Sequence, residues 1–288
     1  MLKRKKASRL IVAVVVGTVS LISSGNIHAQ QLIKTKETIA FLGNSITQFA
    51  GPPAGYITLV ANGLESRGIK VKTINAGVSG NVSTQMLDRE DADVISKKPD
   101  WMTLSCGVND VWHGAKGVPL EQYKINITKI VDKAQAAGIK VIILTATMIT
   151  EDQSAEFNQK LVAYNDFLRQ LAKEKNCLLA DLNADMQAEI AQANAPKGVN
   201  VLTNDGVHMN ALGYQMMAIG ILKTQGFTQS EIDALKEKWM DYQTEVDPKY
   251  KLSARQFQKL LQVAKSKGMS VNDLLSKEIG KIIDGYIK

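Results

Sequence analysis

A serine hydroxyl is a poor nucleophile until a base takes its proton, and the imidazole of histidine is the side chain that most often does so. In this chain of 288 residues one run, Asp205-Gly206-Val207-His208, carries an imidazole with a carboxylate three residues before it. That carboxylate can orient the ring and stabilise its cation. Far upstream, Ser45 stands in Gly43-Asn44-Ser45-Ile46-Thr47. Two further segments carry groups suited to a developing negative charge. Asn75-Ala76-Gly77-Val78-Ser79-Gly80-Asn81 has two glycines that let the backbone pass close to a ligand with an N–H directed inward. Gly107-Val108-Asn109-Asp110 offers a side-chain amide as a donor to an oxyanion. Taken singly, each segment has an ordinary alternative: a serine helix cap, a turn needing positive φ, an asparagine turn with Asp110 capping the next stretch of chain, and a chance Asp–x–x–His pair.

The elements around these segments place them together. Short apolar runs at Thr38–Leu42, Lys70–Ile74, Trp101–Ser105, Lys140–Thr145 and Cys177–Leu182 predict strands, the second being the weakest because it alternates Lys with Val and Thr. Helical patterns cover Tyr56–Arg67, Thr84–Ile95, Leu120–Ala137, Glu156–Lys175 and Ala211–Thr224. Strands alternating with helices predict a parallel sheet covered on both faces, which binds ligands beyond the carboxyl ends of its strands. Ser45, Gly77 and Asn109 each follow a predicted strand on that side, and a helix after Ser45 would place its N-terminus beside any negative charge formed there.

In the order Ser, Gly, Asn, Asp–His, these four segments resemble the blocks of the SGNH, or GDSL-type, hydrolase family over roughly residues 37–225. The resemblance implies a flavodoxin-like three-layer α/β/α sandwich with a five-stranded parallel sheet. It implies Ser45 as nucleophile and Asp205 and His208 as the rest of a catalytic triad. The Ser45 N–H, the Gly77 N–H and the Asn109 amide would form the oxyanion hole, and acyl transfer of this kind needs no cofactor. One departure is Asn44, where the family usually has Asp in a Gly-Asp-Ser run.

The remaining features bound the function. Lys3, Arg4, Lys5, Lys6 and Arg9 precede an apolar run from Leu10 to Ile22, and Ala29 closes the segment. The run is too short for the ~20 residues of a membrane-spanning helix and has the order of a cleaved signal peptide, residues 1–29. Localisation is therefore expected to be secreted or periplasmic, without a stable membrane anchor after processing. Five of the net seven positive charges lie in that leader, so residues 30–288 carry +2 and lose the electrostatic support for a nucleic-acid partner. His28 leaves with the leader, so only His113 and His208 remain as candidate bases. Cys106 and Cys177 fall at opposite ends of their predicted strands and are expected to stay unpaired. With no Cys–x–x–Cys and no histidine cluster, no metal site is expected.

Past Gly226 strand signals stop. Thr228 with Glu231, Ser253 with Gln256, and Ser270 read as helix caps, predicting a helical extension over 227–288 after a hydrolase domain over 30–226. An exported esterase without a lipase-like lid points to small acyl groups, acetyl esters of carbohydrates foremost. The alternatives are a lysophospholipase, a general short-chain arylesterase, or a binding protein without catalysis. His113 could line the pocket, with a rim or structural histidine as the alternative, and Trp112 could be a sugar platform, with an ordinary packed aromatic as the alternative.

Overall fold

The computed structural model describes residues 32–196, 198–242 and 253–287, so the leader expected over 1–29 lies outside the described residues. Five strands form one parallel sheet: β1 (Thr38–Gly43), β2 (Lys72–Gly77), β3 (Trp101–Ser105), β4 (Lys140–Leu144) and β5 (Leu178–Ala180), in the order β2-β1-β3-β4-β5. β1, β3 and β4 are buried almost throughout, as apolar runs covered on both faces must be. β2 lies at an edge and alternates polar residues, which is why its sequence signal was weak; it also starts and ends later than the expected Lys70–Ile74. Its register pairs Gly43 with Gly77, so the segments after β1 and β2 leave the sheet side by side.

The helices are α1 (Ser45–Gln48), α2 (Tyr56–Ser66), α3 (Ser83–Asp93), α4 (Val108–Trp112), α5 (Leu120–Ala136), α6 (Glu156–Glu174), α7 (Leu182–Ala193), α8 (Ala211–Thr224), α9 (Gln229–Met240), α10 (Ala254–Ser266) and α11 (Val271–Tyr286). α8 packs on α2 and α7, while α5 packs on α3 and α6, giving the two helical layers of the expected α/β/α sandwich. The helix expected after Ser45 is only the four residues of α1, too short to accumulate a substantial macrodipole. α4 and α7 were not expected; α7 has a weak apolar periodicity, with Leu182 and Met186 its buried apolar residues.

The chain divides into two compact units, the first ending at Trp239 and the second running over Met240–Lys288. Packing thus carries the first unit beyond the expected boundary at 226. In α9 Ile232, Leu235 and Trp239 are buried, and Arg67 forks onto both Glu231 carboxylate oxygens at 2.7 Å. The second unit contains α10 and α11, each opened by a capping box, from Ser253 with Gln256 and from Ser270 with Asp273. Its small cluster is Ala264, Val271 and Leu274, with Leu260, Leu261, Met269 and Leu275 packed against it. Among the described residues no helix is long and apolar enough to cross a membrane.

Candidate active site

β1 delivers Ser45 to the carboxyl edge of the sheet through a tight turn. Asn44 caps α1, its Oδ1 accepting the Ile46 N–H at 3.0 Å. That contact needs only an oxygen acceptor, so a carboxamide fills the place of the family's usual carboxylate. Thr47 is buried and exchanges a hydrogen bond with the Tyr56 hydroxyl at 2.9 Å, while the Tyr214 hydroxyl donates to Ile46 O at 3.3 Å. α1 is therefore gripped from both α2 and α8. Ser45 itself is 8% exposed, and its hydroxyl meets His208.

The Ser45 Oγ to His208 Nε2 distance is 2.9 Å, and His208 Nδ1 lies 2.8 Å from Asp205 Oδ2. With Nδ1–H donating to the carboxylate, Nε2 presents its lone pair to the serine hydroxyl. Asp205 Oδ1 accepts the backbone N–H groups of Val207 at 3.0 Å and His208 at 2.8 Å. Burial pushes the Asp205 carboxyl up, but the hydrogen bonds from the His208 backbone, its ring and the Val207 backbone prevail. The carboxyl lies below its ordinary value and is ionised at neutral pH. Phe49 stands edge-on to the imidazole, ring centroids 6.5 Å apart, and is 62% exposed.

The loop that carries Asp205 and His208 is fixed by a residue the sequence did not single out. Glu151 accepts from Val201 N, Leu202 N, Thr203 N and Thr203 Oγ1 at 2.6–2.8 Å. Thr203 Oγ1 in turn accepts the Gly206 N–H, and Thr150 N donates to Gly206 O at 2.8 Å. The four acceptances close a short cage around one carboxylate. Nothing in a lone Glu after a strand signals this, because three of its partners are backbone groups.

The expected oxyanion donors come together at the ends of three adjacent strands. The Ser45 N–H opens α1 and has no carbonyl one turn earlier in its helix. Gly77 presses against α1, so that a Cβ there would collide with the Gln48 backbone nitrogen. Its N–H donates to Asn75 Oδ1 at 2.9 Å, while Asn75 Nδ2 donates to Thr47 O and Gln48 O. Of the expected donors, Gly77 is thus already engaged. Gly107 at φ 128° makes the turn out of β3 that a side chain would strain, and Asn109 lies just beyond it, buried in α4. Asn109 Nδ2 donates one hydrogen to Asn81 O at 3.0 Å and has a second to offer. Asp110, a cap in the alternative reading of this segment, lies inside α4 and accepts from Ser83 N at 2.8 Å and Cys106 Sγ at 3.4 Å.

His113 ends α4 half-buried with its ring 6.0 Å from Trp112, which is 40% exposed. Neither side chain joins the Ser45–His208–Asp205 chain. Cys106 and Cys177 are both free thiols. No group of three or more metal-ligating side chains occurs among the described residues.

A model of the GDSL-like lipase/acylhydrolase family matches residues 41–216. An acetylxylan esterase from Geobacillus stearothermophilus is 26% identical over 215 residues, covering 68% of this chain and 96% of the relative. Its solved structure superposes with a TM-score of 0.61 over 69% of this chain and 98% of that one. A second acetyl xylan esterase structure is 34% identical, with a TM-score of 0.61 over 65% of this chain and 98% of that one. The esterase TesA of Pseudomonas aeruginosa is 30% identical over 110 residues, 38% of this chain and 53% of that protein.

Proposed function

The chain belongs to the GDSL-like lipase/acylhydrolase family and is a carboxylic ester hydrolase, and from that premise we propose that it is exported and removes acetyl groups from carbohydrate substrates through an acyl-enzyme on Ser45. The observation that carries the reading is the 2.9 Å approach of His208 Nε2 to Ser45 Oγ, with Asp205 behind the ring. His208 takes the Ser45 proton as Oγ bonds to the ester carbonyl carbon, and the carbonyl electron pair moves onto oxygen. The Ser45 N–H, the Gly77 N–H and the Asn109 amide receive that oxyanion. Gly77 is held by the neutral Asn75 Oδ1 before substrate arrives. A charged oxygen is the stronger acceptor, so the N–H transfers to it or is shared as charge develops. The tetrahedral species collapses, the C–O bond to the alcohol breaks, and the imidazolium returns its proton to that oxygen. Water then attacks the acyl-enzyme with His208 again as base, releasing acetate and free Ser45. No step requires a cofactor.

The acetyl preference and the carbohydrate class are supported by the two acetyl xylan esterases that match nearly their full lengths. Two solved forms of the Geobacillus enzyme are catalytic mutants, one with a serine and one with a histidine replaced by alanine. Those are the residue types proposed here. Export rests on the basic and apolar order of residues 1–29, with cleavage before Gln30. The 30–226 hydrolase domain, carried on by packing through α9, then leaves α10 and α11 as an extension outside the chemistry.

Acetate release from acetylated xylo-oligosaccharides, set beside p-nitrophenyl esters of increasing chain length, tests the assignment. Turnover that peaks at acetyl and vanishes in Ser45→Ala supports it. A preference for long acyl chains would move the chain to the lysophospholipase reading, and activity surviving in Ser45→Ala would remove the nucleophile.

A further inference from the structure

Arg89 lies on α3, outside all four motif segments, with its side chain only 16% exposed. Its guanidinium binds two of the three segments proposed to hold the oxyanion and is linked to the third through Asn81. One terminal nitrogen donates to Gly43 O at 2.8 Å, in the turn that leads to Ser45. The other donates to Ala76 O at 2.8 Å and to Asp93 Oδ2 at 2.8 Å. Nε donates to Asn81 Oδ1 at 2.7 Å, and the backbone carbonyl of Asn81 is the group that accepts from Asn109 Nδ2.

Resting on the function proposed above, we infer that Arg89 is a positioning residue that sets the geometry and donor strength of the oxyanion hole. The Ala76 carbonyl and the Gly77 N–H are two ends of one rigid peptide plane. Fixing the oxygen therefore fixes where the hydrogen points, and a cation on the oxygen polarises the plane so that its N–H donates more strongly. Val78 N also donates to Gly43 O at 3.1 Å, so Arg89 binds the carbonyl that already joins the first two segments. Through Asn81 the same side chain steadies the acceptor that aims the Asn109 amide. Only a planar fork with five N–H donors reaches acceptors in several directions at once; a lysine ammonium at the end of a flexible stem does not hold that arrangement. Because the oxyanion exists in the transition state and not in the bound ester, the effect falls on kcat rather than KM.

The test is a double-mutant cycle in the full chain, read as kcat and KM on p-nitrophenyl acetate with melting temperatures alongside. Arg89→Lys should lower kcat about tenfold to a hundredfold, below or near the cost of losing a whole oxyanion donor, with KM within about twofold. In an Asn109→Ala background the same substitution should cost markedly less, because part of its effect passes through Asn109. Asn81→Ala keeps the carbonyl but loses the Arg89 grip; it should give a smaller fall in kcat of the same kind and serves if Arg89→Lys does not fold. Asp93→Asn breaks the ion pair while leaving the carbonyl contacts, and should leave kcat within about twofold. A lowered melting temperature with kcat unchanged, or an equal loss of kcat in both backgrounds, makes Arg89 a structural staple and overturns the inference. Wild-type protein without turnover that Ser45→Ala removes would overturn the underlying function first, so the two failures are distinguishable.

Discussion

Ser45 and the donors beside it stand on strand ends beneath covering helices, whereas Asp205 and His208 ride on a more exposed loop well beyond the last strand. On the first side position follows from packing. Gly77 touches the α1 backbone, Thr47 is sealed between layers, and Arg89 binds the carbonyls behind the site. On the second side Leu202, Val207 and Met209 anchor the loop by burial, but the Asp205 side chain itself is 53% exposed. There the position of the reacting groups depends on hydrogen bonds, four of them to Glu151. A change on the strand side should therefore tend to cost stability and activity together. A change on the loop side should cost activity while the fold persists.

The sharpest break in that comparison comes from the base itself. His208→Ala should lower kcat by several orders of magnitude, as Ser45→Ala should, since triad members act as a unit. Its melting temperature should stay within a few degrees, because the lost ring is about a third exposed. His113→Ala should leave kcat close to wild type. A dead His113→Ala beside an active His208→Ala, both folded, would reverse the assignment. Asp205→Asn comes next. It keeps a side chain that can accept from Val207 and His208 N–H groups but removes the charge that stabilises the imidazolium and holds its tautomer. A loss in kcat of roughly three to four orders is expected.

Glu151→Gln probes the loop without touching the reacting groups. A carboxamide has one oxygen where the carboxylate uses two, so at least one of the four donors loses its partner. Hydrogen bonds to charged groups contribute about 1.5–3 kcal/mol each. The loop should loosen and kcat fall roughly tenfold, while circular dichroism remains that of the native fold. Unchanged kcat would show that the loop keeps its geometry without the Glu151 cage.

How much of this was legible in the sequence depends on what each residue binds. The triad candidates were readable because Asp–x–x–His is a local spacing and Ser45 comes directly after an apolar strand. Strand order was not readable, since the neighbours of β1 are set by crossovers between distant segments. β2 was misplaced because an edge strand with Lys72, Thr73 and Asn75 lacks the apolar run that marks β1, β3 and β4. Glu151 and Arg89 left no trace because three of the four Glu151 donors and two of the four Arg89 acceptors are backbone groups, which every residue type carries. α9 is hard to place from sequence because it opens with polar residues and its burial rests on Ile232, Leu235 and Trp239.

The smallest expected effect concerns a charge on the strand side, one residue from Arg89. Glu90 is fully buried on α3, and its carboxylate oxygens have no hydrogen-bond partner; Lys133 Nζ lies 3.6 Å away. Burial raises its carboxyl to about 7; Lys133 opposes that rise, and the neighbouring Asp91 adds to it. Proton counting gives the sign for stability. Between the ordinary value of 4.5 and about 7, the unfolded chain has released this proton while the folded chain keeps it. Stability therefore falls as pH rises through that window and stays lower above it. Glu90→Gln keeps the shape and carries no charge at any pH. Near pH 5 it should melt close to wild type. At pH 8, where wild type bears a charge inside the layer, the variant should gain on it by a few degrees, taking roughly 2–4 °C per kcal/mol for a domain of this size. The gain is net of the lost attraction to Lys133, which the raised carboxyl already includes. A melting-temperature difference that is the same at pH 5 and pH 8 would mean that Glu90 is solvated or fully paired in the folded protein. The strand side would then hold no buried charge at this position, and its contrast with the exposed loop would rest on Arg89 and packing alone.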